Sequence, residues 1–200
     1  MSRRLFIFDA PDRFVSGTVG LPGSRTFFLQ ARKGRAVVSV ALEKAQVAAL
    51  AERLDELLTV VDDDHAPTPT EHGRPASAQR LEQALDQQPH HQPPLDQQPL
   101  DEPVAEAFRV GAMALAWDAE GERVVIEAQP QDESGDYVEA ADDDEDGPDL
   151  MRVRIARDEA RAFVQRTRGL IAAGRPPCPF CGQPLEATGH FCLALNGQQN

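Results

Sequence analysis

The residues best suited to chemistry gather near the carboxyl end of this 200-residue sequence, where Cys178-Pro-Phe-Cys181-Gly182 is followed by Gly189-His190-Phe191-Cys192. Two residues between the first cysteines let both thiolates face one ion, and the glycine after them lets backbone amides turn toward sulfur. Three thiolates and one imidazole suit a tetrahedral Zn²⁺, so Cys178, Cys181, His190 and Cys192 are the expected ligands of a structural zinc. Two other readings are weighed beside it. A redox dithiol would need a helix amino end to activate Cys178, and Pro176, Pro177 and Pro179 disfavour one there. A catalytic zinc needs an open position, which four protein ligands fill. Three cysteines cannot close a disulfide framework, and the set fits a reducing compartment.

Residues 176–200 carry no Lys or Arg and one formal side-chain charge, Glu186. That argues against phosphate binding and a nucleic-acid finger. Phe180, Leu185, Phe191, Leu193 and Leu195 would instead pack on the preceding helix or meet a protein partner.

A second constellation is polar. On an expected strand at 123–128 Val125 and Glu127 share a face, and on one at 150–155 Arg152 and Arg154 do. With Arg25 these form a candidate anion pocket, Arg25, Glu127, Arg152 and Arg154, lying between two halves of the chain. The plainer alternative is a cross-strand Glu127–Arg154 pair. Gly17-Thr-Val-Gly20-Leu-Pro-Gly23 lacks the Gly-Lys-Ser/Thr ending of a phosphate loop and reads as a hairpin. Seven arginines between Arg152 and Arg175 follow an acidic run, which raises the idea that the run folds over them.

The elements that must position these residues come in duplicate. Leu42-Glu-Lys-Ala-Gln-Val-Ala-Ala-Leu50 and Ile155-Ala-Arg-Asp-Glu-Ala-Arg-Ala-Phe163 match at an offset of 113, pairing Leu42 with Ile155, Leu50 with Phe163, Leu57 with Leu170 and Leu58 with Ile171. Both have helical spacing, and Asp158 and Glu159 suit a helix amino end. Three strand-like runs precede each helix: 14–20, 25–30 and 36–42, then 108–117, 123–128 and 150–155. Phe14 with Gly17 echoes Phe108 with Gly111. The expected fold is α+β: two βββα repeats packed into a pseudo-symmetric body, with a C-terminal zinc-knuckle or ribbon-like module.

The expected boundaries are 1–61 for the first repeat, 62–103 for a Pro/Gln-rich disordered linker, 104–175 for the second repeat with an acidic loop at 131–149, and 176–200 for the zinc module. The linker holds eight of sixteen prolines and writes Leu85-Asp-Gln-Gln-Pro89 again as Leu95-Asp-Gln-Gln-Pro99. Ten acids in 131–149 account for most of the net charge of −13, and the remaining 23 acids nearly balance 20 bases. The amino-terminal apolar stretch Leu5–Phe8 is too short for a signal-peptide core or a membrane span, and the protein is read as cytoplasmic.

Asp12-Arg-Phe14, Gly17-Thr-Val-Gly20, Arg25-Thr-Phe-Phe-Leu-Gln30, Phe108-Arg-Val-Gly111, Ala114-Leu-Ala-Trp-Asp118, Arg123-Val-Val-Ile-Glu-Ala-Gln129, Gly147-Pro-Asp-Leu150 and Gly174-Arg-Pro-Pro-Cys-Pro-x-Cys-Gly182 together resemble an actinobacterial family of conserved hypothetical proteins, domain of unknown function 3090. The likeness spans nearly the whole chain except the linker, which looks like an insertion, and the carboxyl end at Leu193-Ala-Leu-Asn-Gly197. It implies an actinobacterial cytosolic protein and brings no catalytic residues. The expected function is a zinc-binding protein acting as a binding or adaptor protein toward a protein partner. The alternative is an enzyme or small-anion-binding protein with its pocket between the repeats.

Overall fold

Alternation of apolar and polar residues writes six strands, and the computed structural model adds a seventh and pairs all seven in one sheet. It describes residues 3–21, 23–64, 96–131, 138, 147–173, 178, 180–181, 191–192 and 198–199. The strands are β1 (Leu5–Asp9), β2 (Arg13–Val19), β3 (Thr26–Lys33), β4 (Ala36–Leu42), β5 (Glu106–Asp118), β6 (Arg123–Pro130) and β7 (Leu150–Ala156). Their order is β1-β7-β6-β5-β4-β3-β2. Helix α1 (Lys44–Asp64) follows β4, and α2 (Arg157–Ala172) follows β7. The architecture is mixed α+β. No helix among the described residues is long and apolar enough to cross a membrane.

β2, β3 and β4 form an antiparallel meander, as do β5, β6 and β7. The two meanders join where β4 and β5 run parallel, and β1 runs parallel to β7 at the far edge. β1 was not expected, because Leu5-Phe-Ile-Phe8 is a short run with too little alternation to stand out.

The sheet is rolled. β1 and β2 lie at opposite ends of the strand order, yet only Ala10, Pro11 and Asp12 separate them. Four residue steps reach about 14 Å, while six strand spacings in a flat sheet are about 28 Å. The edges therefore curl toward one another: Lys33 Nζ of β3 donates to the Asp9 carbonyl of β1, and the Gly34 N–H donates to Asp12 Oδ2 at 2.7 Å. Ala10 marks the kink, with φ of 46° in the left-handed region.

Both helices fill the concave side and pack on each other. One continuous core takes Phe8, Leu29, Leu42, Ile126, Val153 and Ile155 from the strands with Leu50, Leu54, Phe163 and Val164 from the helices. Each helix starts with the same device. The Glu43 N–H donates to Gln46 Oε1 at 2.8 Å, and the Ala156 N–H to Glu159 Oε2 at 2.7 Å, satisfying amides the helix leaves free. Between the helices Arg168 Nη2 donates to Asp55 Oδ2 at 2.7 Å, and Arg161 pairs with Asp62.

The convex side of β2–β4 is covered by residues that composition assigns to the linker. Leu100 seats in a small cluster of Val15, Phe28 and Ala41, with Val104 beside it. A β-carbon on Gly17 would collide with Leu100, so glycine here makes room for the plug. Buried Gln30 grips the backbone of Asp101 twice, accepting from its N–H at 2.7 Å and donating to its carbonyl at 2.9 Å. Residues 96–104 are thus a strap on the body, contrary to the disordered linker expected to Pro103. The rest of the expected linker, 65–95, lies outside the described residues, as does most of the acidic loop.

Candidate functional site

Cys178, Cys181 and Cys192 come together, their three Sγ atoms all within 4.8 Å of one another. Cys178 and Cys192 Sγ are 3.9 Å apart, near the ~3.8 Å between two sulfurs that each sit ~2.3 Å from one tetrahedral zinc. A disulfide would need ~2.05 Å. Cys192 lies on a two-residue strand, β8 (Phe191–Cys192), paired with β9 (Gln198–Gln199), which fixes its direction toward the other two. The Phe180 N–H donates to Cys178 Sγ at 3.5 Å, as the two-residue spacing requires. Burial pushes the Cys178 thiol up, but the Phe180 and Cys181 amides and the neighbouring thiols outweigh it and bring it down to about 7. Three converging thiols, with Cys178 biased toward thiolate, could hold a metal ion. The fourth expected ligand, His190, lies outside the described residues.

A second feature, absent from the sequence reading, is the anchorage of the strap. Arg13 makes a two-pronged contact with Asp96, Nε to Oδ2 at 2.5 Å and Nη2 to Oδ1 at 3.1 Å, and reaches Asp101 Oδ2 at 3.1 Å. Arg166 of α2 donates to the Ser16 carbonyl at 2.7 Å on the free edge of β2, to the Gln98 carbonyl at 2.7 Å, and to the Asp96 carbonyl. The two arginine side chains are only 9% and 11% exposed, so these bonds act where water screens little. The hydrogen bond from Arg13 holds the Asp96 carboxyl below its ordinary range and raises Arg13 itself. Burial, with Arg13 nearby, lowers Arg166.

Among the described residues, this clamp stands at a cleft flanking α2, and another cleft flanks α1. The first, about 180 Å³, lies between α2 and the kink before β2, and Phe14 and Phe163 stack in it at 4.9 Å. The second, about 650 Å³, lies between α1 and β5, lined by Gln46, Leu50, Arg53, Leu57, Gly111 and Met113. No acid among the described residues is within ion-pair range of Arg53.

The chain matches, over residues 6–192, the family described as "Protein of unknown function (DUF3090)". The chain belongs to that family. The match includes the strap, both clefts and all three cysteines. No curated protein and no solved structure matches the chain.

The four residues of the expected anion pocket are placed differently from the expectation. Register pairs Glu127 with Arg152, and the two form an ion pair; Arg154 lies opposite Val125 and bonds Asp9 Oδ1 at 2.7 Å. The cross-strand partner of Glu127 is therefore two residues from the one anticipated, because the spacing within each strand does not determine the register between them. Arg25 is elsewhere, donating to the Leu170 carbonyl at 3.1 Å and lying over the Phe27 ring. Three of the four thus sit on one face as paired charges, and Arg25 does not join them. The other described arginines of the basic segment also have acidic partners in the body: Arg157 with Glu122, Arg161 with Asp62, Arg166 with Asp96 and Arg168 with Asp55.

Proposed function

We propose that this is a zinc-stabilised binding or adaptor protein whose ion is held by Cys178, Cys181, His190 and Cys192. The observation that carries the reading is the convergence of three thiols at zinc-like separation on a segment too poor in apolar residues to fold alone. Four protein ligands give the ion a structural role. A protein partner is the expected target. The module's lack of cations argues against nucleic acid, and among the described residues no nucleophile–base pair lines either cleft. Protein purified without chelator under reducing conditions should carry one zinc per chain by elemental analysis, and Cys192→Ser should lose it. Less than one zinc per chain in the parent protein would overturn the assignment. The second reading, an enzyme or small-anion-binding protein with a pocket between the halves, keeps one point in its favour: both clefts draw walls from both halves.

We also propose that the body is a duplicated βββα unit. The capping pairs Glu43/Gln46 and Ala156/Glu159 stand 113 residues apart, as do Asp55 and Arg168, which meet each other between the helices. β5 combines what β1 and β2 do in two pieces. It pairs parallel with β4 near Arg109, changes register at Gly111, and then pairs antiparallel with β6. The closing hairpin pairs Val19–Thr26 and Asp118–Arg123 align β2 with β5 at an offset of 99. Phe14 then answers to Met113, and Asp12, in the connection between β1 and β2, to Gly111. The echo of Phe14 and Gly17 in Phe108 and Gly111 follows a different offset, 94.

A further inference from the structure

The two offsets superpose the clefts. Glu159, Phe163 and Arg166 of α2 correspond to Gln46, Leu50 and Arg53 of α1, while Asp12 and Phe14 correspond to Gly111 and Met113. The cleft beside α2 borders a bound peptide: Arg166 takes the Asp96 carboxylate and the carbonyls of Asp96 and Gln98. The cleft beside α1 has an arginine at the same helical position, without an acidic partner among the described residues. It is also roomier, because Leu50 and Met113 replace the stacked Phe163 and Phe14. The peptide held by the first clamp, Asp96-Gln-Gln-Pro99, is written once more in the chain, ten residues upstream.

We propose that the cleft between α1 and β5 is the docking site of the connector's own Leu85-Asp-Gln-Gln-Pro89, with Asp86 on Arg53 as Asp96 is on Arg166. Two corresponding clefts thus receive two copies of one peptide.

The differences between the sites follow the differences between the copies. Leu100, which fills the space over Gly17, has His90 as its counterpart, and Gly17 corresponds to Ala116, so the second site needs no plug. Arg13 corresponds to Ala112, so Asp86 meets one guanidinium where Asp96 meets two. The upstream copy is therefore the weaker ligand. Length permits the arrangement: ten residues from Asp86 to Asp96 reach up to ~35 Å, against ~20 Å across two packed helices. Leu85 stands 21 residues beyond the end of α1, which gives ample slack on that side.

The inference rests on the duplication. Its test is separate, because an empty cleft would leave the strand and helix correspondence intact. The sequence has three methionines, Met1, Met113 and Met151. Met113 lines the cleft and Met151 is buried in the core, so methyl-¹³C methionine spectra of the full chain report occupancy and folding together. Replacing residues 85–89 by Gly-Ser-Gly-Ser-Gly should shift the Met113 methyl and leave Met151 in place, and Arg53→Gln should shift Met113 the same way. Added Leu-Asp-Gln-Gln-Pro-His peptide should return the signal of the replaced chain toward its starting position. An unchanged Met113 signal in both variants would overturn the proposal. So would a Met113 shift that depends on protein concentration and survives the replacement, which would give the cleft to a second copy of the chain.

Discussion

The cleft beside α2 and the cleft beside α1 each lie between a helix and a strand and are filled differently. Beside α2, two aromatic rings stack and two arginines bind the strap; beside α1, a leucine and a methionine leave a larger space with one arginine at its lip. A rolled sheet around two helices thus leaves a gap beside each helix, and side-chain volume decides whether it becomes core or groove. The comparison is sharpest in truncation. Phe163→Ala removes a ring that is buried and stacked, and should lower unfolding free energy by about 3–5 kcal/mol. Leu50→Ala, beside space already open, should cost about 2–3 kcal/mol at the lower end of its class. Urea melts of both variants check this, and equal losses would break the distinction between a filled and an open cleft.

The corresponding arginines should separate next. Arg166→Ala leaves the Ser16 and Asp96 carbonyls without their partner, the Gln98 carbonyl with Arg13 alone and Asp96 with one guanidinium, which should cost about 2–3 kcal/mol. Arg53 is exposed, and Arg53→Ala should stay within about 0.5 kcal/mol. Similar losses at both positions would mean that Arg53 carries a structural burden comparable to the strap clamp.

How much of this was legible beforehand depended on the range of the interaction. The helices were legible because Val47, Leu50, Ala51, Leu54 and Leu58, and Ala160, Phe163, Val164 and Thr167, repeat at helical spacing, and all are buried. The six strands of the two meanders were legible from local alternation, with boundaries off by a residue or a few. The cysteines were legible because two ligands are three positions apart and a third lies near. Register was not: Glu127 meets Arg152 through a pairing that local spacing does not determine. The strap was hidden by composition. Asp96-Gln-Gln-Pro-Leu-Asp101 is as polar and proline-rich as the rest of the connector, and distant partners such as Arg13, Gln30, Gly17 and Arg166, some 70 to 85 residues away, order it. A signal did exist in Leu100, an apolar residue between Pro99 and Asp101, opposite a glycine inside a strand.

The smallest expected effect distinguishes how the strap's two ends are held. Asp96 binds through its charge, whereas Leu100 binds by burial, and only the first responds to pH. The carboxyl of Asp96 is lowered in the folded chain, chiefly by the hydrogen bond from Arg13, so its contribution is fully present above the unfolded value of about 3.9 and fades as pH falls through the lower folded value. Amide exchange should therefore show the Gln98 N–H, which donates to Asp96 Oδ1 at 2.9 Å, losing protection in acid before the Asp101 N–H, which is held by Gln30. Added salt should act in the same direction at Gln98 and hardly at Asp101, because a partly exposed carboxylate is screened and a buried amide pair is not. Simultaneous loss at both amides would mean that the strap leaves as a unit, with Leu100 dependent on the charge clamp.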